Sequence, residues 1–342
     1  MTRKHIILLF FLLLFGVALF FIDLMIGSVK VPFDEFIQTL LTRDESMLWY
    51  RTIFDFRFPK AIVATMAGAA LAVSGLQMQT LFRNPLAGPY ILGISSGASL
   101  GVALLVLGFP SLLGLGFHFI IGQWAMAFAA WIGASAVLVL IMAISFRVRD
   151  IMTILIFGIM FGSAASALVS IMQYFGADAS VKAFVIWTMG SLGGITTNQL
   201  WVFVPGILAG LLIAFFLPKR LNVLLLGEDY ARTMGLNITL TRIMVFASTS
   251  LLAGTVTAFC GPIGFIGIAI PHIARLVFKT ANHFVLVPAT VLLGISILLI
   301  SDIVSQLPGN SAVLPINSIT ALLGIPIIIW IVFRNKKLSS LI

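Results

Sequence analysis

Apolar runs long enough to cross a membrane recur along almost the whole chain. Hydrophobic residues make up 61% of the sequence and charged residues only 9%. Soluble domains carry about 25% charged residues, so this chain cannot cover a globular surface with polar groups. About twenty apolar residues in a helix cross the ~30 Å core of a bilayer. We therefore predict an all-α polytopic membrane protein, with residues 1–342 forming a single transmembrane domain in the lipid bilayer.

On this length criterion the runs predict about ten transmembrane helices. They are residues 6–27, 61–82, 90–108, 119–145, 151–175, 199–217, 242–260, 263–278, 285–304 and 314–333. The first run resembles a signal peptide, but it is longer than the apolar region of one and no small-residue cleavage pattern follows. Residues 182–194 are too few to span, so a lateral or re-entrant helix is predicted there.

Positive charge is distributed unevenly between the two sets of connecting segments. With residues 1–5 inside, six of the 20 Lys and Arg residues lie outside and the other fourteen inside. Cytoplasmic loops of membrane proteins are enriched in Lys and Arg, so both termini are predicted to be cytoplasmic. The net charge of +9 is thus explained by orientation, and no nucleic-acid partner is predicted.

Two polar segments interrupt the apolar pattern. Residues 29–58 lie outside, and Pro32 followed by Asp34 and Glu35 fits the first turn of a short surface helix. The charged residues of this segment either simply face solvent or form a docking platform for an external protein. Residues 218–242 lie on the cytoplasmic side and form the largest surface that a soluble partner could contact.

No constellation of catalytic residues is visible in the sequence. It has no G-x-x-x-x-G-K-[ST] phosphate loop, so this chain is not expected to hydrolyse ATP, and no H-E-x-x-H or G-x-S-x-G motif. A structural role is favoured over metal ligation for His272, and packing for Cys260, the one cysteine. We predict a chain that is not an enzyme and binds no metal or cofactor of its own.

Ionisable residues are scarce within the predicted spans. Asp23 and Asp302 lie near outer helix ends, where we expect them to be close to water and not to form a proton relay. The remaining polar residues of note are neutral: Gln77, Gln79, Ser95, Ser96, Ser163 and Ser166. A neutral path suits a bulky substrate that is not driven by an ion gradient. An ion-coupled secondary transporter is the alternative, and a membrane-embedded enzyme or a scaffold protein is less favoured.

Small residues recur at helical spacing. Gly93, Gly97 and Gly101 form a stripe that favours close helix packing, with a polar path lining as the alternative. A weak internal repeat offsets matching residues by 186 positions and places its copies on the second and seventh spans, which would run in opposite directions. The matched pairs are Gly68 with Gly254, Gly75 with Gly261, and Pro85 with Pro271.

Three stretches resemble one family of bacterial permeases. The first comprises RFPK at 57–60, the glycine-rich run that starts at residue 68, and RNPLAGPYILGISSGA at 83–98. The second is LGEDYARTMGL at 226–236. The third is GPIGFIGIAIPHIAR at 261–275, with LP at 314–315 and TALLGIP at 320–326. Together they look like the FecCD-type permeases of ABC importers for iron-siderophores, haem and cobalamin. The resemblance covers nearly the whole chain.

The resemblance implies a type II ABC importer permease architecture in the bacterial cytoplasmic (inner) membrane. It implies a second permease subunit, as homodimer or heterodimer, two cytoplasmic ATP-binding subunits that hold ATP and Mg²⁺, and an extracytoplasmic substrate-binding protein. The cargo would be a ferric siderophore, haem or a corrinoid.

The resemblance also assigns site residues. The cytoplasmic gate would be Asn84, Pro85 and Leu86. The ATPase-coupling loop would contain Leu226, Gly227, Glu228, Asp229, Ala231, Arg232 and Gly235. Binding-protein docking would involve Arg57, Lys60 and Gln306.

The outer docking surface departs from the family pattern. Gln306 stands where relatives have an arginine, Val313 where they have an acid and Asn317 where they have a glycine. Half of the expected charged grip is therefore missing. Docking would instead depend on Arg57, Lys60 and Arg51, on a heterodimer partner, or on a differently charged binding protein. Near the inner face, Ile151 and Met152 replace small hydroxyl residues of some relatives.

Overall fold

The computed structural model describes residues 2–27, 29–108, 123–148, 150–306 and 313–339. Within these ranges the chain is helical and contains no β-strand. The helices, numbered in chain order, are α1 (Arg3–Met25), α2 (Phe33–Thr42), α3 (Phe58–Leu81), α4 (Ile94–Ala103), α5 (Gln123–Arg147), α6 (Ile151–Phe175), α7 (Asp178–Thr188), α8 (Thr197–Phe216), α9 (Pro218–Leu224), α10 (Glu228–Thr233), α11 (Ile238–Thr249), α12 (Thr255–Cys260), α13 (Ile266–Phe278), α14 (His283–Ser305) and α15 (Ile316–Ser339).

Ten helical segments of the described chain match the ten predicted spans. Seven are long and apolar enough to cross a membrane by themselves, and the shorter apolar helices Ile94–Gly108, Ile266–Phe278 and Ile316–Ile329 match the other three. The start of the fourth predicted span, at residue 119, lies outside the described residues. The multi-pass, all-α prediction is confirmed.

Two helix boundaries differ from the prediction. The second span begins at Thr52, because the wide π-helical turns of Thr52–Arg57 run directly into α3. The predicted lateral piece at 182–194 is instead α7, which starts at Asp178 and stops before Gly190, whose φ is +74°. Hydropathy shows only which part of a helix is apolar. Backbone hydrogen bonds can extend the helix beyond that part into polar residues. The predicted surface helix after Pro32 is α2.

Helix α3 forms the centre of the bundle. In the most apolar stretch of the span that contains α3, 83% of the residues are buried. The corresponding value for α1, which lies at the periphery, is 11%. Gly68 of α3 faces Gly294 of α14 so closely that a Cβ on Gly68 would lie 2.3 Å from the Gly294 carbonyl oxygen. Small residues let membrane helices approach until their backbones touch. The contact between α3 and α14 thus excludes any larger side chain here.

The glycine stripe of α4 serves packing. A Cβ on Gly97 would lie 2.5 Å from the Gly133 carbonyl oxygen of α5, and one on Gly101 would lie 2.1 Å from that of Ala129. The packing interpretation is therefore confirmed for these two residues. They do not line a polar path, because α5 covers them.

A short segment within the bundle, residues 261–265 between α12 and α13, is not helical. Gly261 and Phe265 both have positive φ, +74° and +67°. The Tyr90 hydroxyl donates to the Ile263 carbonyl (2.7 Å), and Oδ1 of Asn317 accepts from the Gly264 amide (2.9 Å). Irregular backbone at membrane depth needs such partners because lipid supplies none. Asn317, which departs from the family pattern, is therefore a structural ligand of this backbone.

The residue pairs of the predicted repeat do not occupy equivalent positions. Gly75 lies inside α3, whereas Gly261 follows α12 with a left-handed φ. Pro85 lies in a turn, whereas Pro271 lies within α13. Helices α3 and α11 do run in opposite directions, since α3 ends and α11 begins beside residues 218–237. Glycine is frequent in tightly packed bundles, and this frequency accounts for coincidental matches.

Candidate functional site

The polar residues of interest gather at two ends of the bundle. We call the end where α3 stops, with α9 and α10, the loop end. We call the end where α1 stops and α3 begins the opposite end. The predicted gate and coupling residues all lie at the loop end, and the predicted docking residues all lie at the opposite end.

The predicted gate residues form a turn directly after α3. Arg83 leaves the helix with φ +47°, and the Asn84 side-chain oxygen then accepts from the Leu86 amide (2.9 Å). The Ala87 amide donates to the Asn84 carbonyl (3.0 Å), which closes the turn. The Leu86 side chain is exposed. This turn over Asn84–Pro85–Leu86 is called the gate turn below.

Helix α13 holds the gate turn in place. Nε2 of His272 lies 2.7 Å from the Pro85 carbonyl oxygen, and since a carbonyl only accepts, Nε2 donates. Arg275 donates to Oε1 of Gln79 (2.6 Å), whose Nε2 donates to the Ile268 carbonyl (3.1 Å). His272 therefore makes the structural contact predicted for it. Gln79 links α3 to α13 and does not line a path.

Gln77 is also a link between helices. Its amide donates to Ser248 Oγ (3.0 Å) and accepts from Thr249 Oγ1 (3.1 Å), both on α11. Of the six neutral polar residues of the predicted path, Ser95 and Ser96 are half-buried on α4, and the other four divide into two groups. Gln77 and Gln79 are buried links, whereas Ser163 and Ser166 are exposed on α6.

Two short helices, α9 and α10, form the predicted coupling loop. Gly227 (φ +107°) and Gly235 (φ +80°) bound α10, and both conformations favour glycine. Glu228 and Asp229 occupy the first turn of α10, where they complement the helix dipole. After α10 the Leu236 amide donates to the Ala231 carbonyl (3.0 Å), which closes the helix end at Gly235.

Arg242 at the start of α11 anchors this loop to the bundle. Its guanidinium lies 2.7 Å and 2.8 Å from the two carboxylate oxygens of Glu228. Arg242 is buried, and so is Ala231. Glu228 and Ala231 therefore face the bundle, whereas the other predicted loop residues Asp229 and Arg232 are exposed. Arg242 was not in the predicted loop set, although its place at the border of a polar segment and a span is a usable signal.

The outward face of the loop carries three large apolar side chains among its exposed polar residues. Leu226, Tyr230 and Met234 are 58%, 60% and 57% exposed. We call these three side chains the loop patch. Only Leu226 was in the predicted set. Their large apolar side chains among the polar residues of 227–235 were the signal that could have identified Tyr230 and Met234.

Asp150 caps helix α6 beside the loop. Its carboxylate accepts from the Thr153 hydroxyl (2.6 Å) and amide (2.8 Å) and from the Met152 amide (3.3 Å). The Thr153 hydroxyl and amide stabilise the ionised carboxylate and lower the pKa of Asp150 below its usual value. Asp150 and Thr153 thus supply the polar contacts at this helix start, although Ile151 and Met152 are apolar.

At the opposite end Arg57 holds the last turn of α1. Its guanidinium donates to the carbonyls of Leu24 (3.0 Å), Met25 (2.7 Å) and Val29. These carbonyls lack helical partners, and a cation also complements the C-terminal end of the helix dipole. Arg57 was predicted as an outer-face docking residue, but its side chain is buried against its own chain.

The other two predicted docking residues belong to a buried polar cluster. Nζ of Lys60 lies 2.9 Å from Oδ1 of Asp302. The Gln306 amide donates to Asp302 Oδ2 (3.1 Å) and Asp23 Oδ1 (3.4 Å). We call these four side chains the acid cluster. A cavity of about 640 Å³ lies beside Lys60, Asp302 and Gln306.

The acid cluster corrects one expectation. Asp23 and Asp302 were expected to be close to water, yet both are buried and share the Gln306 amide. Packing of α1 and α3 against α14 covers them. Position along a span measures depth in the membrane but does not show which neighbouring helix lies over a side chain.

The described residues contain no group of three or more His, Cys, Asp or Glu side chains that could hold a metal ion. The cavity at the opposite end is lined by Arg57 and Lys60 as well as Asp302. This donor set is therefore unsuited to a cation. The arrangement at both ends offers hydrogen bonding and charge for contacts.

Comparison with known proteins agrees with this geometry. The vitamin B12 import system permease protein BtuC of Klebsiella pneumoniae is 35% identical over 328 residues, which cover 94% of each chain. BtuC of Salmonella typhi is 36% identical over 299 residues, which cover 87% of each chain.

A solved structure described as an inward-facing conformation of a metal-chelate type ABC transporter superposes with a TM-score of 0.82. It is 31% identical and covers 96% of this chain and 99% of its own. PsaBC from Streptococcus pneumoniae, at 17% identity and a TM-score of 0.52, shares the fold. The FecCD transport family matches residues 12–334. The chain therefore belongs to the FecCD transport family.

Proposed function

We propose that this chain is the permease subunit of a binding-protein-dependent ABC importer in the bacterial cytoplasmic membrane. Its partners would be a second permease subunit, two cytoplasmic ATP-binding subunits and an extracytoplasmic substrate-binding protein. Family membership and the BtuC relatives support this proposal. ATP and Mg²⁺ would be held by the partner subunits, and this chain would provide the path.

The observation that carries the proposal is the loop patch. Leu226, Tyr230 and Met234 project from a segment flanked by charged residues, while Arg242 and Glu228 fix the segment to the bundle. An exposed apolar patch with a polar rim is typical of a protein interaction site. Because it is fixed to the bundle, the loop is suited to pass movement of a bound soluble partner on to the helices. The distribution of Lys and Arg residues supports a cytoplasmic location for this loop and for both termini.

The gate turn lies close to this loop. A Cβ on Gly227 would lie 3.5 Å from the guanidinium of Arg83, the residue that precedes Asn84. We infer that closure of the ATP-binding subunits displaces the loop, and that the displacement reaches the gate turn through Arg83 and the end of α3. The exposed Leu86 would then block or clear the path.

Docking of the binding protein would depend on exposed cations. At the opposite end Lys30, Arg43 and Arg51 are exposed, whereas Arg57 and Lys60 are engaged within the chain. Charge complementarity at such a rim speeds association and selects partners. We therefore assign docking to Arg51 and its exposed neighbours, with Arg57, Lys60 and Gln306 supporting the surface from beneath.

The proposed cargo is a large metal chelate: a corrinoid, a ferric siderophore or haem. The names of the relatives, vitamin B12 import and metal-chelate transport, support this class. The substrate-binding protein of the same importer provides the sharpest test, since it selects the ligand. Titration with cyanocobalamin, ferrichrome and haem should give micromolar or tighter binding for one of the three. Failure of all three would contradict the cargo class.

The loop patch is tested by Tyr230→Ala and Met234→Ala in proteoliposomes with the ATP-binding subunits and binding protein. Loss of two apolar anchors should lower ATP-driven uptake about tenfold or more, because interface anchors are typically worth 1–2 kcal/mol each. Thr239→Ala is the matched control, since Thr239 is exposed at the same end but outside the patch. Uptake that persists without any ATP-binding subunit would refute the importer proposal.

The acid cluster is the one observation that favours an ion-coupled secondary transporter. Buried carboxylates within membrane-spanning helices often mark ion pathways. Against this, Lys60 already neutralises Asp302. Proteoliposomes that contain this chain alone, with an imposed proton gradient, separate the two functions. Gradient-driven uptake that disappears in Asp302→Asn would support the secondary transporter.

A further inference from the structure

A buried histidine joins three helices at the loop end. His283 is the first residue of α14 and is almost completely inaccessible to solvent. Its ring nitrogens contact two different elements: Nδ1 lies 2.8 Å from Oδ1 of Asn222 on α9, and Nε2 lies 2.8 Å from the Thr80 hydroxyl on α3. The imidazole therefore spans the space between α9 and the end of α3.

The contact with α9 is reinforced. The His283 backbone amide also donates to Asn222 Oδ1 (2.8 Å), and Asn222 Nδ2 donates to Asn282 Oδ1 (2.9 Å). Asn282 in turn caps α14 by accepting from the Phe284 amide (3.0 Å). A side chain held by three hydrogen bonds has little freedom to rotate. Movement of α9 must therefore carry the first turn of α14 with it.

The hydrogen-bond roles define the state of the ring. Asn222 Oδ1 only accepts, so His283 Nδ1 carries a proton and donates. In the neutral ring Nε2 is then an acceptor. The one hydrogen of the Thr80 hydroxyl has two acceptors within reach, His283 Nε2 (2.8 Å) and the Leu76 carbonyl of its own helix (2.9 Å), and the contact with His283 forms when the hydroxyl donates to Nε2. The contact is directional at both ends, and an apolar side chain of equal size would not reproduce it.

Thr80 lies next to the gate turn in the sequence. It is buried in the last turn of α3, three residues before Arg83, and its neighbour Gln79 is held by Arg275 of α13. The last turn of α3 is thus held from two sides, by α13 through Gln79 and by α14 through Thr80. A shift of His283 would act on the segment from which the gate turn leaves.

We propose that Asn222, His283 and Thr80 form the mechanical link that carries movement of α9 to the gate turn. His283 is a positioning residue in this link and does not touch cargo. The inference rests on the proposed function, because it needs an ATP-driven movement of the loop. Buried hydrogen-bonded contacts with few alternative arrangements can transmit such movement between helices.

The test follows the gate turn directly. In a Cys260→Ala background, Leu86→Cys provides one thiol at the exposed gate position. The protein is assembled with its ATP-binding subunits in proteoliposomes, and labelling by a membrane-impermeant maleimide is measured with and without Mg-ATP. Thr80→Val should reduce the ATP-dependent change in labelling rate about fivefold, the effect of one net hydrogen bond. ATP hydrolysis should continue.

A matched control is available in α14. Thr290 is also a buried threonine, and its hydroxyl donates to the Val287 carbonyl of its own helix (2.9 Å), as the Thr80 hydroxyl can to the Leu76 carbonyl (2.9 Å). Thr290→Val should leave the ATP-dependent change intact. His283→Asn keeps a polar atom near Asn222 but cannot reach Thr80. It should match Thr80→Val, and the double variant should show no further loss, because both remove one contact.

The outcomes are distinguishable. If the unsubstituted complex shows no ATP-dependent change at position 86, the proposed function fails and the link fails with it. If that change is present and survives in Thr80→Val and His283→Asn, only the link is overturned. An equal loss in Thr290→Val, or additive losses in the double variant, would also overturn the link.

Discussion

The ammonium nitrogen of Lys60 lies 2.9 Å from Oδ1 of Asp302, and the two side chains are only 16% and 2% exposed. A carboxylate this far from water is tolerated only with a close partner. The pair joins the start of α3 to the end of α14, and the Gln306 amide extends the contact to Asp23 on α1. Three helices at the opposite end are thus joined by one polar cluster.

Removing the cation should therefore destabilise the bundle. Lys60→Met leaves Asp302 buried and unpaired, which should cost about 2–4 kcal/mol, less than for a fully buried pair because Lys60 keeps some exposure. Thermal unfolding in detergent measures the change. Lys60→Met combined with Asp302→Leu should recover most of the loss, since no unpaired charge remains. Lys182→Met, at an exposed lysine, is the control. An unchanged melting temperature in Lys60→Met would show that the pair is not needed.

The contact between α3 and α14 makes Gly68 intolerant of any side chain. Gly68→Ala would place a Cβ 2.3 Å from the Gly294 carbonyl oxygen and should destabilise the protein by about 1–3 kcal/mol. Gly254→Ala is the matched variant, because the nearest atom to its Cβ would be Ser250 Oγ at an ordinary 3.7 Å. Detergent melting curves should show a loss for the first variant only. Equal losses would show that the close contact with Gly294 is not the cause of the destabilisation.

Hydropathy predicted the spans well because burial in lipid acts on each helix separately. The number of segments, the polar loop at 218–242 and the surface helix after Pro32 all follow from local composition. The polar side-chain partners on other helices did not follow. Gln306 and Asp23 are 283 residues apart, and Thr80 and His283 are 203 apart. No local pattern encodes such lateral neighbours, so the acid cluster and the His283 contacts were visible only in the folded bundle.

The same limit explains the docking residues. An arginine at an outer helix end is equally compatible with a protein partner and with the free carbonyls of a neighbouring helix. The sequence pattern of Arg57 could not distinguish these roles, because α1, whose carbonyls it binds, precedes it by a whole polar segment. The role of Glu228 was ambiguous in the same way, since its partner Arg242 lies beyond α10.

Two adjacent acids of the coupling loop should respond differently to the same change. Glu228→Arg places a cation against the buried Arg242 and should detach α10 from the bundle, with a loss of ATP-driven uptake of about tenfold or more. Asp229→Arg changes the same charge at an exposed position and should have a much smaller effect. Uptake in proteoliposomes, with membrane insertion checked by detergent extraction, compares the two. Equal defects would mean that loop charge matters more than its anchoring.

The two arginines Arg51 and Arg57 give the last test, because they separate docking from folding. Arg57→Gln removes donors from the carbonyls of Leu24 and Met25 at the end of α1 and of Val29 beyond it, and should lower the free energy of unfolding by about 2–3 kcal/mol. Once folded, this variant should bind the substrate-binding protein normally, since the side chain is buried. Arg51→Gln should show the reverse.

The Arg51→Gln variant should keep the wild-type melting temperature and weaken binding-protein affinity about two- to fivefold. That loss should shrink as salt is raised from 50 to 500 mM, because exposed charge pairs are screened. Melting in detergent and binding to immobilised binding protein measure the two properties on the same samples. A stable Arg57→Gln variant that no longer binds the binding protein would return Arg57 to the docking surface. It would also mean that the side chain leaves the α1 carbonyls when the binding protein docks.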